Sequence, residues 1–188
     1  NGEVVVNGWS PSKRNGEYAN SGWVTEIGEE EWKEFKSHGP LAGLEFQKSI
    51  EQKAYTMGGG EFKVPAQNLI DYIAEKKSSN LNESSYNPGM TSADLNGLYP
   101  KGINYRLREG LRAMTSKLKG FDHKKAIVAA PESRTSAPVR IPRTKELHHT
   151  ELFNLYPCGE GAGFAGGIIS AALDGVRVVK AICQKNEA

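Results

Sequence analysis

The feature that most constrains this 188-residue chain is a glycine-rich stretch near its C-terminal end. Residues 159–167 contain five glycines in nine positions, and the short apolar run Leu155-Tyr156 precedes them. After them, apolar residues recur at helical spacing. These residues are Ile168, Ala172, Val176, Val179 and Cys183. The pattern predicts the end of a strand, a glycine-rich turn and a helix.

Such a turn is suited to binding an anion or a polarised carbonyl. Glycine has no Cβ, so backbone N–H groups can approach a ligand closely, and a helix start adds unpaired donors at the positive end of the helix dipole. Gly161, Gly163 and Gly166 also form a literal G-x-G-x-x-G. A Rossmann unit requires a following strand, usually with an acidic residue about 20 positions further on, and the sequence ends at Ala188 first. We therefore expect the turn to close over a ligand held mainly elsewhere; the alternative is a turn that only packs a helix against a strand.

Two segments resemble signatures of a family of bacterial FAD-dependent dehydrogenases, often described as NAD(FAD)-utilizing. Residues 156–175 resemble the C-terminal flavin motif of that family, and residues 132–141 are similar to its second signature. A weaker resemblance covers residues 40–66. The resemblance implies a C-terminal piece of a larger flavoprotein, whose N-terminal Rossmann portion for the ADP half of FAD is absent from this sequence.

The resemblance also implies a set of cofactor-binding residues. They are Gly159, Glu160, Gly161, Ala162, Gly163, Gly166, Gly167, Ile168, Thr135 and Ser136. The Glu160 carboxylate would accept hydrogen bonds from ribityl or ribose hydroxyls. Backbone N–H groups from Gly163 to Ile168 would face the pyrimidine end of the isoalloxazine or the adjacent phosphate, where a fixed dipole stabilises negative charge on the flavin.

Arg134 is the candidate catalytic residue. Residues 126–130 are a continuous apolar run that predicts a buried strand, and ligands of α/β sheets gather beyond the carboxyl ends of strands. Arg134 follows this strand and would stabilise negative charge on the flavin, or hold an anionic substrate or a nicotinamide cofactor phosphate. Ser133, Thr135 and Ser136 add hydroxyl donors. The structural alternative is that Arg134 pairs with an acid such as Glu132 or caps a carbonyl.

The predicted fold class is α/β, with strands at both ends of the chain and a mostly helical middle, as an incomplete FAD/NAD(P)-binding-type fold. Residues 1–27 are predicted as a strand-rich segment, residues 28–120 as a mostly helical inserted segment, and residues 121–188 as the C-terminal flavin-binding part. Further strands are expected at residues 3–6, 23–27 and 139–141. Helices are expected at residues 29–39, from Pro40 to Gly58, from Pro65 to Lys77, and around Ile103–Leu118.

Composition excludes several other classes. The 24 basic and 22 acidic residues nearly balance, which disfavours a nucleic-acid partner. No apolar run approaches the roughly 18 residues of a membrane helix, so no membrane partner is expected. The two cysteines, Cys158 and Cys183, and the pair His148-His149 lack metal-ligand spacing, so no metal is predicted and a reducing cytoplasm is the expected location.

The sequence thus predicts the C-terminal fragment of an FAD-dependent oxidoreductase, which contributes the flavin-side loop and helix. The resemblance implies FAD in the full-length protein, with NAD(P)H as electron partner, and a fragment that is inactive alone. The alternative is a non-catalytic α/β binding or interaction module with a structural glycine-rich turn.

Overall fold

The computed structural model describes residues 2–186. Backbone contacts divide the chain into two units. The first unit comprises the residues up to Lys36 together with Phe46–Ser133, and the second comprises Ser37–Glu45 and the residues from Arg134 onward.

A small mixed sheet lies in the first unit. Its strands are β1 (Val64–Asn68), β2 (Met90–Ser92) and β3 (Ile127–Ala129), in the order β2-β1-β3. β1 pairs in parallel with β2, Val64 opposite Met90, and antiparallel with β3, Ala66 opposite Ala129. Val64 and Ala66 are fully buried, so the central strand is part of the core.

The helices of the described chain alternate with these strands. They are a 3-10 helix at Lys33–Leu41, α1 (Ala42–Gly58), α2 (Leu69–Ile73), a 3-10 turn at Leu95–Gly97, α3 (Lys101–Lys117) and α4 (Ile168–Asn186). α1 ends where glycine permits a left-handed backbone: Gly59 has φ 89°, and the Gly60 N–H donates to the Tyr55 carbonyl at 3.0 Å. The run of three glycines at 58–60 therefore stops the helix, and the predicted helix end at Gly58 is confirmed.

The hydrophobic core of the first unit joins α1, α3 and the sheet. Its buried members are Val4, Phe46, Ile50, Ala54, Val64, Leu69, Tyr72, Leu95, Leu98, Ile103, Leu111 and Ala130. Buried polar side chains are bonded within it: Gln67 donates to the Lys76 carbonyl and accepts the Leu95 N–H, both at 2.7 Å. These bonds fix the loop after α2 and the 3-10 turn onto β1.

The mixed α/β class predicted from the sequence is confirmed, but the strands lie elsewhere than expected. Residues 3–6 and 23–27 are not strands in the structure. The Val6 N–H donates to the Pro131 carbonyl at 2.9 Å, and Trp23 donates its indole N–H to the Leu107 carbonyl at 3.1 Å. Both segments are thus held by packing and isolated hydrogen bonds rather than by the hydrogen-bond ladder of a strand pair.

The sheet instead falls within the segment predicted to be mostly helical. The prediction that Pro65 opens a helix is wrong, because Pro65 is the second residue of β1 and only Leu69–Ile73 is helical. Proline lacks an N–H but keeps its carbonyl, and here that carbonyl accepts the Ala130 N–H at 3.2 Å. The strand β2 was not predicted.

Other elements follow their sequence patterns. The helix from Pro40 to Gly58, the helix around Ile103–Leu118 and the final helix are confirmed as α1, α3 and α4. The strand predicted within residues 126–130 is confirmed as β3, but its residues are half-buried rather than buried. The strand expected at residues 139–141 is absent from the described structure; the Ile141 N–H instead donates a single bond to the Ala162 carbonyl of the glycine turn at 3.1 Å. Residues 155–156 are likewise not a strand. Among the described helices, none combines the length and apolar character needed to cross a bilayer.

Candidate functional site

The glycine-rich segment of the second unit folds into a closed turn directly before α4. The Phe164 N–H donates to the Gly159 carbonyl at 3.0 Å, and the Gly163 N–H donates to the Glu160 carbonyl at 2.8 Å. Gly159 and Gly163 have φ of 70° and 79°, the left-handed region that glycine adopts without strain. Both glycines are therefore explained by the backbone path of the turn.

Gly163 is also required by packing within the chain. A Cβ added there would lie 2.6 Å from the Val139 carbonyl oxygen and 3.0 Å from the Arg140 Cα, which are backbone atoms that cannot move aside cheaply. The turn therefore rests directly on the backbone of residues 139–140. This close approach accounts for one member of the G-x-G-x-x-G without any ligand.

Gly161 and Gly166 have no such internal explanation. A Cβ added at either position meets no atom of the chain within 4 Å, and neither has a left-handed φ. At Gly167, the nearest atom is the Ser170 hydroxyl at 3.6 Å. All three glycines are exposed, so their backbone is open to a ligand or to another part of a larger protein.

The turn is anchored to α4 through Asp174. The Gly159 N–H donates to the Asp174 carboxylate at 2.9 Å. Arg143 donates to both carboxylate oxygens at 2.8 Å and to the Pro157 carbonyl at 2.9 Å. The side chains of Arg143 and Asp174 are only 8% and 10% exposed, so the two-pronged pair is largely shielded from water.

This arrangement fixes the charge state of the pair. The hydrogen bonds from Arg143, together with the Gly159 N–H, lower the pKa of Asp174 from its ordinary 3.8 to about 2. The same bond to Asp174 raises the pKa of Arg143. Asp174 is therefore a carboxylate at neutral pH, and the pair joins residues 143, 157–159 and the helix.

Phe164 completes the anchor. The guanidinium carbons of Arg143 and Arg140 lie 3.6 Å and 4.5 Å from the centroid of its ring. Both distances place cations against the π face, which attracts them electrostatically. The last residue of the closed turn is thus held by the segment on which Gly163 rests.

The start of α4 is open. Its first helical hydrogen bond runs from the Ala171 N–H to the Gly167 carbonyl at 2.9 Å, and the Gly167 N–H donates to the Ser170 hydroxyl at 3.1 Å. Helix geometry leaves the N–H groups of residues 168–170 without an intrahelical acceptor. The first turn carries no acidic residue. Ile168 and Ile169 are 88% and 72% exposed. The positive end of the helix dipole is therefore available to an external anion or carbonyl.

The remaining predicted site residues occupy different environments. Glu160 is half-buried, whereas Ala162 is buried and its carbonyl accepts the Ile141 N–H. Arg134, Thr135 and Ser136 are exposed in the second unit. The hydrogen bonds and ring contacts that hold the turn come from residues 139–143, further along the same segment.

Ser133, at the end of the first unit, has an internal role. Its hydroxyl donates to the Glu51 carboxylate at 2.7 Å, and Glu51 also accepts a bond from the Gln47 amide at 3.0 Å. Glu51 is buried on α1. Ser133 is therefore part of a buried polar contact rather than a donor directed to solvent.

Sequence reasoning missed Arg143, Phe164 and Asp174. A signal for Asp174 was present, because it is the acid in the mostly apolar run of residues 168–176 and a buried acid needs a partner. No spacing rule connects it to Arg143, which lies 31 positions earlier. Among the described residues, no group of three or more His, Cys, Asp or Glu side chains is placed to hold a metal ion.

Comparison with known proteins places the chain in a family. A protein of Clostridium beijerinckii, described as an uncharacterized protein, is 41% identical over 186 residues. The match covers 98% of this chain and 34% of the relative, so the chain spans about a third of the length of the curated relative it matches. A family model described as FAD-dependent protein, C-terminal domain-like, matches residues 1–135, a range that ends before the glycine turn. The predicted relation to the C-terminal part of an FAD-dependent protein is thereby confirmed, and the chain belongs to the FAD-dependent protein, C-terminal domain-like family.

Proposed function

We propose that this chain is the C-terminal part of a larger FAD-dependent oxidoreductase, and that its glycine turn and the start of α4 bind the flavin side of FAD. Family membership supports FAD as the cofactor, and the greater length of the relative supports a larger protein. In that protein, a Rossmann portion of the same polypeptide would hold the ADP half of FAD, and the present chain would close the site from the flavin side.

The observation that carries the proposal is the open backbone at Gly161 and Gly166. Within this chain, a methyl group at either position would meet nothing, so packing does not account for glycine there. A cofactor lying against the turn would account for it, because a Cβ would occupy the space that the cofactor needs. The open helix start beside these glycines offers N–H donors and a positive dipole end to the same ligand.

Two kinds of group in the turn would then contact the cofactor, the Glu160 carboxylate and backbone N–H groups. The half-buried Glu160 would accept hydrogen bonds from the ribityl hydroxyls, and the N–H groups of Gly166 and Ile168 would donate to the flavin ring or the adjacent phosphate. The N–H groups of Gly163, Phe164 and Gly167 are bonded within the chain and shape the turn. FAD supplies hydride transfer. The helix start and Arg134 would place positive charge near the flavin, which raises its reduction potential by stabilising the negative charge of the reduced ring.

The electron partner and compartment belong to the same proposal. NAD(P)H is the proposed electron partner, with Arg134 as the residue that would meet its phosphate or an anionic substrate. Cys158 and Cys183 are both free thiols on the surface, which suits a reducing cytoplasm.

The test begins with the complete gene product. The purified protein is expected to be yellow, with flavin absorption bands, and to release FAD on denaturation. A complete protein that is colourless and does not bind added FAD would contradict the flavin assignment. The glycine turn would then belong to a non-catalytic interaction module, in which the packing seen at Gly163 is its whole purpose.

A pair of alanine variants locates the site. Gly166→Ala adds a methyl group at the turn, whereas Gly175→Ala adds one within α4, and both positions are open in this chain. We expect Gly166→Ala to raise the Kd for FAD about tenfold or more, equivalent to about 1.4 kcal/mol, while Gly175→Ala leaves it unchanged. A flavoprotein in which Gly166→Ala binds FAD as tightly as the parent would place the flavin elsewhere.

A further inference from the structure

The helix α4 is amphipathic, and its apolar face is turned outward. One side of the helix is used within the second unit, where Val178 is buried and Asp174 is paired with Arg143. The opposite side carries exposed apolar residues along most of the helix. They are Ile168, Ile169, Ala172, Leu173, Val176, Val179 and Cys183, which together are called the outer face below.

The outer face is continuous. At 100° per residue its members fall within an arc of about 140°, the width of an ordinary core-facing stripe. Leu173, Val176 and Val179 are 64%, 50% and 58% exposed. Single exposed apolar residues are common, but a connected row of them on one helix marks a surface that another element covers.

We propose that the outer face packs against the part of the longer protein that lies outside this chain. This inference rests on the proposed function for the existence of that longer protein. The relative supports it, because about two-thirds of the relative's length lies outside the match and is large enough to supply an apolar surface. A helix of 19 residues whose exposed side is mostly apolar fits such a surface.

The chemistry of the face specifies its partner. The outer face contains no acidic residue, so its centre suits an aliphatic sheet or helix surface. Lys180 is exposed and falls within the arc near its C-terminal end, where an acidic residue of the partner would complement it. The face also begins at Ile168, directly after Gly167, so a partner seated on it reaches the candidate flavin site.

Cys183 provides a direct test, because it is a free thiol on the outer face. The complete gene product is treated with a maleimide under native conditions, and the modification rate of Cys183 is followed by mass spectrometry. The matched control is Arg177→Cys in a Cys183→Ser background, which places a thiol beside the face on the same helix. We expect Cys183 to react at least about tenfold more slowly than the control thiol, because only the outer face is covered.

Three outcomes are distinguishable. Equal rates for the two thiols in a protein that contains FAD would overturn the docking proposal while leaving the flavin proposal intact. Slow labelling that becomes fast on dilution, in step with dissociation of an oligomer seen by light scattering, would identify a second copy as the partner and also overturn it. Protection of Cys183 that is independent of concentration supports docking on the same polypeptide.

A charge variant gives a second readout. Val176→Asp places a carboxylate in the centre of the outer face, and Arg177→Asp places the same group one residue away, outside it. We expect Val176→Asp to expose Cys183 to the maleimide in the complete protein and Arg177→Asp to leave the protection in place. Retained protection of Cys183 in Val176→Asp would show that the face is not docked.

Discussion

Arg143 and Asp174 lie 31 positions apart in the sequence and form a two-pronged ion pair, with both nitrogen–oxygen distances at 2.8 Å. Asp174 uses the same carboxylate to accept the Gly159 N–H, and Arg143 also donates to the Pro157 carbonyl. One pair therefore determines where the glycine turn begins relative to α4. The geometry of the candidate flavin site depends on residues that would not touch the flavin.

Removing the Asp174 charge is expected to loosen this anchor. Asp174→Asn leaves the shielded Arg143 without a counter-charge, so we expect the protein to lose about 3 kcal/mol of unfolding free energy. Urea unfolding measures the loss, and hydrogen exchange of peptides covering residues 157–175 locates it. The control is Glu31→Gln, which breaks the more exposed Arg106–Glu31 pair and should cost about 0.5 kcal/mol. Equal losses of unfolding free energy for the two variants would show that the Arg143–Asp174 pair stabilises the fold no more than an exposed ion pair.

The same pair predicts a dependence on acid. The folded pKa of Asp174 is about 2, below its ordinary 3.8, so the pair stabilises the folded state fully above the ordinary value. That contribution disappears as the pH falls from near 4 through about 2, because the carboxylate becomes protonated in the folded protein as well. The difference in unfolding free energy between the parent and Asp174→Asn should therefore shrink between about pH 5 and pH 2. A difference that stays constant over this range would mean that Asp174 titrates normally.

Alanine is expected to destabilise the protein strongly at one glycine of the turn and hardly at all at another. Gly163→Ala combines a left-handed φ of 79° with a Cβ only 2.6 Å from the Val139 carbonyl oxygen, so it should cost about 2 kcal/mol or more. Gly161→Ala has neither problem, and its effect on the free energy of unfolding should stay within about 0.5 kcal/mol. Thermal or urea unfolding of the two variants makes the comparison. If Gly161→Ala is the more destabilising, the turn does not pack as described.

Helical periodicity carried most of what the sequence predicted correctly. α1, α3 and α4 each extend over 17 residues or more, long enough for apolar spacing and glycine or proline boundaries to be distinctive. The strands have five residues or fewer, and β1 contains Pro65, which in isolation suggests a helix start. Val4 and Val6 suggest a strand by composition, yet they pack without a neighbouring strand. The conformation of such short segments is determined by the residues they pack against in the fold, and these contacts cannot be read from the local sequence pattern.

The candidate site shows the same limit. The glycine spacing located the turn, because the left-handed backbone at positions 159 and 163 favours glycine, which is visible in the sequence. No local pattern predicts the ion pair between Arg143 and Asp174, since it joins a loop to a helix across 31 positions. The stripe beginning at Ile168 was also visible, but periodicity does not distinguish an apolar face turned toward the core from one turned outward.

The last prediction concerns the buried contact at the end of the first unit. Ser133→Ala removes the hydroxyl that donates to Glu51 at 2.7 Å, and a buried carboxylate that loses a donor keeps its desolvation cost. We expect the free energy of unfolding to fall by about 1 to 2 kcal/mol. Ser136→Ala, in the same segment but exposed, is the matched control and should change it by less than about 0.5 kcal/mol. Since Arg134 directly follows Ser133, the variant also tests whether this contact positions the candidate catalytic residue. In the complete protein, a fall in turnover for Ser133→Ala with unchanged FAD content would support that role. Unchanged turnover would mean that Ser133 contributes only to stability.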